Sequence, residues 1–223
     1  MRNTSTKTKN KQERGTGIGP DYKPWIKVRE FNSQGCAANV RDYKHGRTME
    51  LLSRGELYAY YILRFRDDVI DIREQFPLDM SIIWQICSDL HIRFIGSEEH
   101  VLTSDLVVET ITGDLEVYNI KPTRDVFKNK RMNEKRVVEE TYWKMKNASY
   151  HVIYTDEINQ TLALNIMEVV RCYDKKYIQD KIGAIKHLIA TKKLKVDLKS
   201  KPLDYQEILR AIERKELGYE SIR

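Results

Sequence analysis

The stretch that most constrains this chain runs from Ser104 to Pro122, SDLVVETITGDLEVYNIKP. Apolar residues alternate on both sides of Thr112-Gly113-Asp114, the pattern of two β-strands joined by a tight turn. Alternation puts Asp105, Val107 and Glu109 on one face of the first strand, and Leu115, Val117, Asn119 and Lys121 on one face of the second. Asp105 and Lys121 share a face of the hairpin only if its loop has an odd number of residues. A three-residue loop over Thr112 to Asp114 meets that condition and sets Asp105 opposite Lys121. An acid, a polar residue and a lysine then converge at one end of the hairpin.

The flanking sequence supplies a frame for it. Residues 1–14 are polar and basic and read as a mobile tail, and Gly15 to Pro20 (GTGIGP) is a glycine-rich turn. It is not a phosphate-binding P-loop, because no Gly-Lys-Ser/Thr follows. Trp25, Ile26 and Val28 are the first candidate anchors. Residues 32–50 read as a loop or irregular hairpin with turns near Gly35 and Gly46. A helical stripe of Leu57, Tyr60, Tyr61 and Phe65 covers 53–66, and Ser53 with Glu56 three residues on forms a capping-box pattern. Asp68 to Leu78 reads as a strand ending at Pro77, and MSIIWQICSDLHIRF as an amphipathic helix running into an irregular segment. After the hairpin, helical spacing predicts a helix over 132–146, a short strand in SYHVIYTD, and a helix over 159–173 with Asn159 as its cap. The order is that of an α/β chain with a small mixed sheet. From about Lys175 the pattern changes to helix, an alternating KLKVDLKSK that suits a strand or wing, and a final helix. The expected division is therefore a basic tail (1–20), a main domain (21–173) and a small helical or winged-helix-like domain (174–223).

Hydrophobic residues make up 41% and charged residues 32% of the chain, which suits a globular protein rather than a disordered one. The formal net charge of +6 hides a pattern. Residues 31–121 are net acidic, while 1–30, 122–150 and 172–223 are net basic, as expected of a cation site flanked by phosphate-binding surfaces. Lys128, Lys130, Arg131, Lys135 and Arg136 are the nearest candidates for contacts to a nucleic-acid backbone. No apolar run approaches the roughly 20 residues of a membrane span, and the N-terminus has no apolar signal core, so a cytoplasmic protein without membrane contact is expected. Cys36, Cys87 and Cys172 are odd in number and far apart, as reduced thiols would be. The five histidines form no zinc-binding spacing. Acid, polar residue and lysine at one hairpin end is an arrangement of metal-dependent nucleases.

Five further stretches, DYKPWIKVREF, HGRTMELLSRGEL, VIDIREQFPL, LTSDLVVE and NIKPT, resemble in this order the N-terminal nuclease domain of the TnsA endonucleases, over roughly Asp21 to Tyr173. The resemblance implies a restriction-endonuclease-like fold. It implies Mg²⁺-dependent cutting of the non-transferred strand at the 5′ ends of a transposon, beside a TnsB-like transposase and a TnsC-like AAA+ ATPase. The C-terminal appendage would be the docking element for those partners. Carried over by position, the family's helical acid falls on Glu56 in LSRGEL, its strand acid on Asp105, and its closing polar-x-Lys on Asn119 and Lys121. Where Asn119 stands the family more usually has Gln or Glu. Asn is one methylene shorter, which leaves a water-bridged contact or no role for it.

The implied chemistry is phosphodiester hydrolysis with one or two Mg²⁺ ions, Mn²⁺ being a substitute. Magnesium prefers hard oxygen ligands and keeps several waters, so Asp105, Glu56 and the Ile120 carbonyl form an adequate protein share. Lys121 would position or deprotonate the attacking water and offset developing charge. Two other readings compete: a catalytically inactive DNA-binding scaffold, and a free-standing site-specific nuclease.

Overall fold

The structure, a computed structural model, describes residues 4–30, 37–97 and 100–214. The expected turn at Gly35, Cys36 and the end of the last helical pattern lie outside these residues. The chain divides into two compact units, Met1–Ile158 and Asn159–Arg223. The division falls ahead of the boundary at 173/174 expected from sequence, because the helix that follows Asn159 packs against a later helix of the second unit.

The first unit is built on a four-stranded mixed sheet of β3 (Val69–Pro77), β4 (Thr103–Thr110), β5 (Leu115–Lys121) and β6 (Ser149–Tyr154), in the order β3-β4-β5-β6. β4 runs antiparallel to both β3 and β5, and β6 lies parallel to β5. A parallel neighbour requires a crossover. It is made by α4 (Lys130–Met145). Val107 and Val117 pack against Ile83, Ile86 and Cys87 of α3 (Met80–Asp89) and Val138, Tyr142 and Trp143 of α4. Leu106 and Val108, which alternate with Val107, are buried as well, so the sheet is covered on both faces. α2 (Arg54–Arg64) lies against β3, β4 and β5. A separate two-stranded hairpin, β1 (Ala38–Arg41) and β2 (Thr48–Leu51), carries the turn at Gly46.

Residues 4–20 are not a loose tail. α1 (Thr6–Lys11) is capped by Ser5, and the Lys9 ammonium is buried over the Trp25 ring, 5.4 Å from its centroid. Arg14 makes two charged hydrogen bonds to Glu30, at 2.6 and 2.8 Å. Local sequence shows a polar basic run; the aromatic and acidic partners that bury it lie 16 residues downstream.

The second unit contains α5 (Gln160–Val169), α6 (Lys181–Ala190) and α7 (Tyr205–Glu213), and Asn159 caps α5 as expected. Among its described residues there is no strand, so KLKVDLKSK is not a wing. The Asn165 amide instead ties that segment down, donating to the carbonyls of Leu198 and Lys201.

Candidate active site

The hairpin turn closes over Ile111, Thr112 and Gly113, one residue earlier than the sequence suggests, with the Thr110 N–H donating to the Asp114 carbonyl. Gly113 takes the left-handed conformation (φ 83°) that such a turn demands. The loop is still three residues long, but the register slides by two. Leu106 pairs with Tyr118 and Val107 with Val117. Continued to the strand end, this sets Asp105 across from Asn119, not Lys121.

The lysine still reaches the acid. Its Nζ lies 3.3 Å from Asp105 Oδ2 and 3.1 Å from the Ile120 carbonyl oxygen. The Ile120 N–H donates to the same Asp105 oxygen at 2.7 Å. Lys121 thus bridges with its ammonium the two oxygens that sequence reasoning assigned to a metal ion.

Glu56 sits in the first turn of α2, buried at 6% exposure. Ser53 and Glu56 do form a capping pair: the Glu56 N–H donates to Ser53 Oγ, whose hydroxyl donates to Glu56 Oε1. Glu56 Oε2 accepts from the Leu52 N–H at 2.9 Å and from Gln75 Nε2 at 3.0 Å. Gly55 allows this helix start to come close. A Cβ there would lie 2.1 Å from Thr155 Oγ1 and 2.9 Å from Ile120 Cγ2.

Of Glu139 and Glu140, the two acids of the helix after the hairpin that sequence leaves unassigned, one enters the site. Glu139 of α4 is buried at 3% exposure and accepts from Ser104 Oγ (2.7 Å), Asn119 Nδ2 (2.5 Å) and Tyr150 OH (3.2 Å). The signal was present: Glu139 lies three and four residues before Tyr142 and Trp143, so it shares their inward face. Asn119 is thereby engaged through its amide nitrogen, while its Oδ1 is buried with no hydrogen-bond partner.

Electrostatics link these groups. Burial raises the Glu56 carboxyl well above its ordinary range, and the charge of Asp105 raises it further. Burial and then Asp105 push Glu139 up to about 7. Lys121 pulls both the other way, and among the described residues it is the one cation hydrogen-bonded to any of the three acids. Three carboxylates therefore share one ammonium, and the remaining donors are neutral.

Oxygen donors in carbonyl, carboxylate and amide form suit a hard divalent cation. The orphaned Asn119 Oδ1 and the two oxygens now bridged by Lys121 fit that chemistry. No three His, Cys, Asp or Glu side chains are drawn together as a metal cluster among the described residues. The oxygens bonded to Lys121 are one carboxylate and one carbonyl, while the Glu56 carboxylate is bonded to Leu52, Ser53 and Gln75.

The basic residues differ in availability. Arg131 is committed to the Arg93 and Phe94 carbonyls, at 2.7 and 2.6 Å. Arg136 stacks over Phe127 and bonds Asn133 and Glu140. Lys128 and Lys130 project into solvent, with pairings to Asp125 and Glu134, and Lys135 is half-buried on α4.

A four-stranded mixed sheet flanked by helices, carrying an acid on β4, a polar-x-Lys ending β5 and a glutamate on a helix start, defines a restriction-endonuclease-like domain. Residues 66–155 match the family described as TnsA-like endonuclease N terminal. The chain is also 35% identical over 160 residues to the transposon Tn7 transposition protein TnsA of Escherichia coli, an alignment covering 70% of this chain and 58% of that relative. This domain belongs to the TnsA-like endonucleases. The chain spans 58% of the length of the relative it matches.

Proposed function

We propose that the protein cuts DNA at transposon ends by Mg²⁺-dependent phosphodiester hydrolysis. It severs the non-transferred strand at the 5′ ends while a TnsB-like transposase acts on the other strand under a TnsC-like ATPase. The observation that carries this reading is the Lys121 ammonium seated on Asp105 and the Ile120 carbonyl, with two further buried acids, Glu56 and Glu139, within electrostatic reach of both charges. The comparisons support the endonuclease class and the link to transposition. Among the described residues no helix is long and apolar enough to cross a membrane.

Asp105, the Ile120 carbonyl and Glu56 would hold the divalent ion, with Mn²⁺ as a substitute. When bound, it supplies charge for the attacking water and the departing 3′ oxygen. Lys121 would orient the attacking water and offset negative charge on the phosphoryl oxygens with its ammonium. Glu139 fixes the amide of Asn119 and so aims the free Oδ1. Lys128 and Lys130 are placed to meet the DNA backbone.

The test is strand-specific cleavage of a labelled transposon-end duplex with Mg²⁺ and the partner transposase. Asp105→Ala and Lys121→Ala should each lower 5′-end cutting by about 10²–10⁴-fold and leave 3′-strand processing intact. Unchanged 5′ cutting in both variants would remove the chemistry from this site.

A further inference from the structure

Gln75 of β3 is buried and takes a left-handed backbone (φ 50°) inside a strand, a conformation that side chains with a Cβ rarely adopt. The β3–β4 ladder pairs Glu74 with Leu106 and Phe76 with Ser104, so Gln75 falls opposite Asp105. Both ends of its side-chain amide and its main-chain carbonyl are hydrogen-bonded. Nε2 donates to Glu56 Oε2 at 3.0 Å, Oε1 accepts from Thr103 Oγ1 at 3.4 Å, and the main-chain carbonyl accepts from the Trp25 N–H at 3.3 Å.

We infer that Gln75 is a positioning residue of the cleavage site, holding the Glu56 carboxylate in place for a divalent cation beside Asp105. This rests on the reading of Glu56 and Asp105 as the acids of the site. Two observations argue for it over a purely structural role. Glycine would satisfy a left-handed strand residue without strain, yet a long amide stands here, and strain of this kind gathers where a site needs it. The adjacent Glu74 is neutralised by Arg47, whereas Glu56 is held by an amide, which orients a carboxylate without cancelling its charge. An orienting neutral donor is what a metal-binding carboxylate needs from its surroundings.

Gln75→Gly separates backbone from side chain, because glycine accepts the φ while losing the amide. Gln75→Asn keeps an amide and tolerates the backbone but falls one methylene short of Glu56. The full chain and these variants, with Glu56→Ala as control, are titrated with Mg²⁺ alone and followed by melting temperature and by calorimetry. The Mg²⁺ requirement for cleavage is then measured with the transposase present.

The expected result is that Gln75→Gly melts no lower than the native chain without metal, yet binds Mg²⁺ about tenfold more weakly, with Gln75→Asn shifted in the same direction. Should the glycine variant fail to fold, the asparagine variant alone must show the weakened binding. Native Mg²⁺ affinity in a folded Gln75 variant, with Glu56→Ala weakened, would overturn this inference and leave the proposed function standing. Native affinity in Glu56→Ala itself would overturn both.

Discussion

Glu74 and Glu139 are both buried carboxylates of the first unit, and their surroundings are opposite in kind. Glu74 receives two charged hydrogen bonds from Arg47, at 2.8 and 2.6 Å, and a third from the Glu50 N–H. Asp42 is treated similarly, with the buried Arg64 guanidinium 2.9 Å away and the Lys44 and His45 N–H groups around it. Glu139 receives only the neutral donors Ser104, Asn119 and Tyr150. Burial raises the carboxyl of Glu74 as well, but there Arg47 opposes it directly, while at Glu139 the second influence is another negative charge. Acids that build the fold carry their own arginine. Acids at the site are oriented but left in excess of positive charge, which is the condition for recruiting a cation.

Removing one charge from each set should break this contrast or sharpen it. Glu74→Gln strands a buried Arg47 and should cost about 3–5 kcal/mol of stability. Glu139→Gln removes an uncompensated charge, and the Asn119 amide can turn its free Oδ1 toward the new donor, so at pH 8 in chelator it should be neutral or stabilising. The sign follows from linkage. The folded-state value of Glu139, about 7, lies above the ordinary 4.5, so this group lowers stability progressively as pH rises between them. The advantage of Glu139→Gln should therefore be present at pH 8 and vanish near pH 4. Urea unfolding of both variants at the two pH values is the check, and equal losses at pH 8 would erase the distinction.

A smaller effect is expected at Gly55. Gly55→Ala must push Thr155 and Ile120 away, at a cost of about 1–3 kcal/mol, and should displace Glu56 enough to weaken cutting. Adding Thr155→Ala removes the nearest clashing atom and should recover part of the loss. A double-mutant cycle in which the two changes simply add would show that the contact does not hold the helix start in place.

The smallest effect concerns a paired acid. Hydrogen bonds from Arg14 hold Glu30 down at about 2. A depressed value stabilises above the ordinary 4.5, and that contribution is lost as pH falls from 4.5 towards 2. Arg14→Met should therefore lower stability by about 1 kcal/mol at pH 7, allowing for solvent screening, and by progressively less towards pH 3. A pH-independent difference would mean that the loss lies in packing.

The elements of the first unit were legible because their signals are local. Alternation marked β3 up to Pro77 and both arms of the central hairpin, while 3.6-residue spacing marked α2, α3 and α4. The capping patterns at Ser53 and Asn159 recur in the structure for the same reason. The burial of Lys9 and Arg14 was not legible, since Trp25 and Glu30 become their partners only when the chain folds back. KLKVDLKSK alternates like a strand, but the Asn165 amide and the surrounding helices claim its backbone.

At the site, the sequence by itself determined which residue types are present and that Asp105, Asn119 and Lys121 can meet at one end of a hairpin, because side-chain alternation and an odd loop are properties of the backbone. Tertiary structure decided the register, a slide of two that brings Asn119 rather than Lys121 across from Asp105. It also decided that Glu139 enters from α4, that Gln75 holds Glu56, and that Gly55 lets the helix approach. Helical spacing shows that Glu139 faces inward, but which groups it, Gln75 and Gly55 meet depends on how the sheet and its helices pack, and no local periodicity encodes that.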